Sequence, residues 1–132
     1  MRIILADHHA TVLWALKTLL QETPEIEVIG ETDNSQALLI QAENNSPDLI
    51  LVDMELPGEP IADLITNLHS LTPKPIVVVM SIKPENGRFM LKAGADAFVS
   101  KSDQPDWLLS TLIMYQKRLE KKTDNWKRKW SY

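Results

Sequence analysis

The sequence predicts an α/β fold, a doubly wound sheet of five parallel strands in the order 2-1-3-4-5. Three observations lead there. Five short apolar runs alternate strictly with longer segments of helical period. Three of those runs are nearly continuous stretches of aliphatic residues, as strands buried on both faces require. The 132 residues show no internal repeat, and no linker before about residue 115, which suits one domain able to bury a core. Right-handed crossovers leave few windings open, and this order is the commonest for five strands.

The elements follow in order. Ile3-Ile4-Leu5-Ala6 is the first strand, and Val12, Ala15, Leu16, Leu19 and Leu20 then recur at helical steps. Ile26 to Ile29 is the second strand. Asn34-Ser35 is a capping pair for a helix carrying Ala37, Leu38, Leu39 and Ile40. Leu49 to Val52 is the third strand, and Pro60 opens a helix with Ile61, Leu64, Ile65 and Leu68 inward. After the fourth strand, Ile76 to Met80, a helix begins near Pro84, contains Gly87 and stops at Gly94, which makes it the least stable of the set. Ala97-Phe98-Val99 is the fifth strand. The last helix follows Asp103, with Leu108, Leu109, Leu112, Ile113 and Leu119 on its inner side.

Composition sets the class. A hydrophobic fraction of 44% and a charged fraction of 24% are ordinary for a soluble domain. Without cysteine there is neither a disulfide framework nor a thiolate metal site. The opening MRIILADHH is interrupted by Asp7 too early for a signal peptide, and no apolar run approaches the roughly 20 residues of a membrane span. A cytoplasmic protein is expected. The net charge of −4 is uneven: residues 117–132 hold seven Lys/Arg against two acids, leaving −9 for residues 1–116.

Ligands of open parallel sheets sit beyond the carboxyl ends of the strands, at the point where the winding reverses. The predicted strand ends there carry Asp7-His8-His9, Asp53, Ser81 and Ser100-Lys101. Carboxylates bind a hard cation such as Mg²⁺ or act as nucleophiles toward phosphorus. A hydroxyl and an ammonium beside them suit the oxygens of a transferred phosphoryl group. Taken singly, Ser81 reads as an ordinary loop serine and Lys101 as a solvated lysine. Asp53 does not read as ordinary, because an unpaired carboxylate ending so apolar a run is costly.

These pieces together resemble the response regulator receiver domain of the CheY-like superfamily, in wording closest to the receivers of LuxR/NarL-type regulators. The matching stretches are ILADHH at 4–9, PDLILVDMELPG at 47–58, VVVMS at 77–81 and KAGADAFVSKS at 92–102. The resemblance covers residues 1–122, with 123–132 a basic, Trp-containing tail. It implies a flavodoxin-like (βα)5 fold. It also implies Asp53 as phosphoacceptor, Ser81 as switch hydroxyl, Phe98 as rotating aromatic and Lys101 as phosphate-pairing lysine. Mg²⁺ would be held by Asp7, Asp53 and Glu55, the last through its backbone carbonyl or side chain. The implied partner is a sensor histidine kinase or phosphotransfer protein.

One departure bears on the chemistry. The family usually has a second acid where this chain has His8, and imidazole suits Zn, Cu or Ni better than Mg²⁺. Weak Mg²⁺ binding is therefore expected. Glu55 either supplies a replacement carboxylate or pairs with Lys83. Ser102 stands where many receivers have Pro. His9 and His69 read as solvated helix-end histidines. Trp14 shares a polar helix side with Lys17, Thr18 and Gln21. It is half-covered by its neighbours or an exposed anchor, the first reading slightly ahead. Trp126 and Trp130 stand four apart around a basic run and suggest packing or homodimer contact over nucleic-acid recognition.

The leading function is a phosphoacceptor receiver signalling through protein contacts, without direct DNA binding and without catalysis beyond its own phosphoryl transfer and hydrolysis. The alternative is a pseudo-receiver in which His8 has impaired Mg²⁺ binding and phosphorylation. An aspartyl-phosphate phosphatase ranks low, because Glu55 stands where its second catalytic Asp belongs.

Overall fold

The computed structural model describes residues 1–102 and 105–130, with side chains described through residue 124. Five strands, β1 (Arg2–Ala6), β2 (Glu27–Thr32), β3 (Leu49–Asp53), β4 (Ile76–Ser81) and β5 (Ala97–Ser100), form one parallel sheet in the order 2-1-3-4-5. The helices are α1 (Ala10–Gln21), α2 (Ser35–Asn45), α3 (Ile61–His69), α4 (Gly87–Lys92) and α5 (Pro105–Trp130). A single 3-10 turn, Pro84–Asn86, leads into α4. The predicted order and alternation hold. No helix among the described residues is long and apolar enough to cross a membrane.

Strand pleating divides the core in two. Ile4, Ala6, Ile50, Val52, Val77 and Val79 face Leu38, Leu64, Ile65 and Leu68. Their alternates Ile3, Leu5, Leu49, Leu51, Val78 and Met80 face Leu16, Leu20, Leu108, Leu112 and Tyr115. Burial on both faces is why these strands read as unbroken apolar runs.

Several expectations need adjustment. β2 runs on to Thr32, past Gly30, because an irregularity lets Ile3 pair with Val28 and Ile4 with Gly30. Ile40 and Ile113 are exposed, at 54% and 40%, and Ala15 is exposed as well. In α2 the inward pair is Leu38 and Ala42, which turns Ile40 away from the sheet. In α5, Tyr115 takes the inward place after Leu112. Pro60 caps α3 one residue before its first turn. Asn34 does cap α2, its side-chain oxygen accepting the Ala37 N–H at 2.9 Å. Ser35 instead accepts the Glu59 N–H at 3.0 Å, beneath Gly58. The predicted start after Asp103 lies outside the described residues, as do the side chains of Trp126 and Trp130.

His69 is not simply solvated. Its Nε2 lies 2.8 Å from Asp96 Oδ2, which also accepts the Val77 N–H at 2.8 Å. The Asp96 carbonyl accepts the Tyr115 hydroxyl at 3.2 Å, so one residue joins the end of α3, the start of β4 and α5. Burial first, then the charge of Asp96, raises the Tyr115 pKa above its ordinary 10.0, with Arg118 opposing. A phenol raised in the folded state contributes stability that is whole below the unfolded value and is lost as pH rises through the folded one. Tyr115→Phe is thus expected to cost about 0.5–1.5 kcal/mol near neutral pH. The variant should also lack this part of the alkaline decline. Urea unfolding of both proteins from about pH 8 to about pH 11 checks it; parallel curves would remove the assignment.

Candidate functional site

The register of the sheet assembles the site. Ala6 pairs with Val52, so the residues that follow, Asp7 and Asp53, emerge side by side from β1 and β3. Asp53 pairs with Met80, and Ser81 pairs with Ser100, which sets Lys101 at the same rim. Asp7 and Asp53 are 0% and 3% exposed, so both carboxylates need partners.

Lys101 is the first partner. Its Nζ lies 2.6 Å from Asp7 Oδ2 and 3.3 Å from Asp53 Oδ1, one ammonium between two buried acids. The Lys101 N–H donates to the Ser81 carbonyl at 2.7 Å, fixing the base of the side chain to β4. Glu55 contributes its N–H to Asp53 Oδ1 at 3.3 Å. The Ser81 hydroxyl accepts from the Lys83 N–H at 3.1 Å and from Asn86 Nδ2 at 3.2 Å, which turns it toward the β4–α4 loop. The half-buried Phe98 ring packs against Gly87 at the start of α4.

The histidines complete the pocket. His8 Nδ1 lies 3.2 Å from Asp53 Oδ2 and 4.0 Å from Asp7 Oδ1. The first approach is close but misaligned for a hydrogen bond, and Asp53 Oδ2 is buried with no hydrogen-bond partner among the described residues. His9 donates its backbone N–H to Asp7 Oδ1 at 2.9 Å and brings its ring Nδ1 to 3.1 Å from the same oxygen. The expectation of a bystander His9 is therefore corrected: as the residue that caps α1, it folds back onto Asp7. Its neighbourhood to two other site residues in the run Asp7-His8-His9 was the available signal.

One ligand atom from each of Asp7, His8, His9 and Asp53 lies within 4.8 Å of all the others. The Glu55 side chain is not in this group: the residue is exposed while Leu56 turns into the core, and no ion pair joins Glu55 to Lys83 among the described residues. The donor set fits a divalent cation, with the open Asp53 Oδ2 as its buried oxygen. For Mg²⁺ the fit is poor, because half of the donors are imidazole nitrogens.

Three tryptophans differ from expectation or lie apart. Trp14 is 70% exposed on α1, which corrects the half-covered reading. The backbones of Trp126 and Trp130 belong to α5, well away in sequence from the strand ends.

Comparison with known proteins agrees with this geometry. The family model for the response regulator receiver domain matches residues 3–113. The nitrate/nitrite response regulator protein NarL of Escherichia coli strain K12 is 34% identical over 112 residues, 83% of this chain and 52% of that protein. A protein-glutamate methylesterase/protein-glutamine glutaminase of Rhodopseudomonas palustris is 35% identical over 103 residues, 76% of this chain and 28% of that enzyme. The chain thus spans about half or less of these relatives. The signal receiver domain of a NarL response regulator from Mycobacterium tuberculosis superposes with a TM-score of 0.79 at 23% identity, covering 88% of this chain and 95% of that one. The matched segment contains all four strand ends that carry Asp7, Asp53, Ser81 and Lys101, and on these grounds the chain belongs to the response regulator receiver domain family of two-component systems.

Proposed function

We propose that the chain is a phosphoacceptor receiver, phosphorylated on Asp53 by a partner histidine kinase or phosphotransfer protein in the cytoplasm. The observation that carries this is the asymmetric environment of Asp53. Oδ1 is held by Lys101 and the Glu55 N–H, while Oδ2 is buried, without a hydrogen bond among the described residues, and free to attack. In the proposed step Oδ2 attacks the phosphorus of a phosphohistidine. The P–N bond breaks, its electron pair leaves with the imidazole, and an acyl phosphate forms. Lys101 neutralises a phosphoryl oxygen. The Ser81 hydroxyl exchanges its loop partners for another phosphoryl oxygen, and Phe98 follows that movement. Hydrolysis of the acyl phosphate is the chain's only other catalysis.

The signal would leave through protein contacts on the face of α4, β5 and α5. Ile82, Phe89, Leu91 and Trp107 are large apolar side chains exposed at 52–71% there, which supports an interaction surface. Trp14 and, on the tail, Trp126 and Trp130 are further candidate contacts, the tail for self-association. A second reading, a pseudo-receiver, draws on one distance: His8 Nδ1 stands 3.2 Å from the oxygen that must attack.

A small-molecule phosphodonor such as acetyl phosphate, with and without Mg²⁺, separates the two. One phosphoryl group per wild-type chain and none on Asp53→Asn is the expected intact-mass result. Equal modification of both proteins would sink the assignment. No modification of either would favour the pseudo-receiver.

A further inference from the structure

We infer that the pocket selects a late first-row divalent cation, Zn²⁺ foremost, bound through His8, His9, Asp7 and Asp53. Where the receiver reading holds, on which this second half rests, that cation competes with the phosphoryl group for Asp53 Oδ2. Two independent observations support it. The first is the donor cluster itself, with two imidazoles and two carboxylates within 4.8 Å. The second is the buried Asp53 Oδ2, without a hydrogen-bond partner among the described residues and 3.2 Å from His8 Nδ1. A carboxylate oxygen so placed is costly to leave bare, and a metal bond satisfies it.

The spacing is suitable. Metal–ligand bonds of about 2.0–2.1 Å in a tetrahedron put neighbouring donors about 3.4 Å apart. The observed separations are 3.1 Å from His9 Nδ1 to Asp7 Oδ1, 3.2 Å from His8 Nδ1 to Asp53 Oδ2, and 4.0 Å from His8 Nδ1 to Asp7 Oδ1. Small side-chain movements close the set. The donor types then choose the ion. Mg²⁺ prefers oxygen ligands and keeps its waters, whereas imidazole nitrogens favour Zn²⁺, Ni²⁺ and Cu²⁺. Charge is also served: Lys101 stays with Asp7 Oδ2, which leaves Asp7 Oδ1 and Asp53 Oδ2 for the ion. Access is open, since the His8 and His9 side chains are 33% and 45% exposed. The ring centroids lie 3.8 Å apart with their planes tilted by 42°, so both imidazoles sit beside the same carboxylates, and binding through Nδ1 leaves each proton on Nε2.

Calorimetric titration of the full chain with ZnCl2 and with MgCl2, without phosphodonor, tests the site. Zn²⁺ is expected to bind at one-to-one stoichiometry and at least tenfold tighter than Mg²⁺. His8→Ala and His9→Ala should each lose tenfold or more of the Zn²⁺ affinity, whereas His69→Ala should not. Co²⁺ should give intense visible bands of a four-coordinate site in wild type, lost in both variants. Equal or tighter Mg²⁺ binding, or Zn²⁺ affinity unchanged in His8→Ala and His9→Ala, would overturn the inference. Because binding is read without phosphorylation, failure of the Asp53 reading leaves these outcomes intact, and failure here leaves that reading standing. The competition is read separately: added Zn²⁺ should slow acetyl phosphate labelling of wild type several-fold and of His9→Ala much less.

Discussion

Replacing His8 with Asp is expected to tighten Mg²⁺ binding by roughly ten- to a hundredfold. The number of anionic ligands sets this gain. Asp7 and Asp53 are the two carboxylates at the rim, and Lys101 already shares both through contacts of 2.6 and 3.3 Å. Mg²⁺ gives up water reluctantly and needs anionic oxygen in return. A carboxylate in place of the imidazole that faces Asp53 Oδ2 supplies it, worth on the order of 1.5–3 kcal/mol by analogy with a hydrogen bond to a charged group. The same change removes a nitrogen donor, so the preference between Mg²⁺ and Zn²⁺ should reverse within one variant. Magnesium titration followed by NMR gives the affinities. Equal Mg²⁺ affinity in wild type and His8→Asp would show that His8 does not limit the site.

Gly58→Ala should cost about 2–4 kcal/mol of folding free energy, from two sources. Gly58 has φ +124°, which side-chain-bearing residues rarely adopt, and that strain alone is about 1–3 kcal/mol. A Cβ there would also overlap Ser35 Oγ, the hydroxyl that accepts the Glu59 N–H at 3.0 Å. Its displacement leaves that N–H unpaired, for about another 1 kcal/mol. Ser35→Ala in the same background removes the hydroxyl overlap but leaves the 2.9 Å approach to the Cβ of residue 35, the unpaired Glu59 N–H and the backbone strain, so it should recover little of the loss. Urea midpoints of the wild type, both single variants and the double variant measure this. A Gly58→Ala midpoint equal to wild type would reject the steric account. Full recovery in the double variant would assign the whole cost to the hydroxyl.

The strands were legible because burial on both faces leaves a composition that no loop or amphipathic helix shares. The strand-end chemistry was legible for a related reason: Asp7, Asp53 and Ser81 each follow directly on such a run, and Lys101 follows one residue later, after Ser100. The helical faces were less so. Ala37 to Ile40 is four consecutive apolar residues, which carries no phase, and only Ala42 one turn beyond Leu38 reveals which side faces the sheet. Ile113 misled in the same way, beside Leu112. Contacts between distant residues were invisible. Asp96 meets His69 across 27 positions and Tyr115 across 19, and each of the three looks like a surface residue in its own neighbourhood. The role of Glu55 stayed open in the sequence because its place two residues after Asp53 suggests reach, whereas the turn there offers its backbone N–H to Asp53 and leaves the residue exposed.

The contact between Gly87 and Phe98 has a consequence for the population of ring positions. A Cβ at residue 87 would stand 2.9 Å from Phe98 Cδ1, so the half-buried ring occupies volume that any other residue would claim. The first turn of α4 and the inward ring are therefore alternatives for one space once that space is filled. Gly87→Ala would disfavour the observed ring position without touching a charged group, and the resting distribution of the ring would shift away from residue 87. In the proposed receiver, steric occupancy at the head of α4, set by one missing methyl, would then bias the Phe98 ring independently of the chemistry proposed at Asp53.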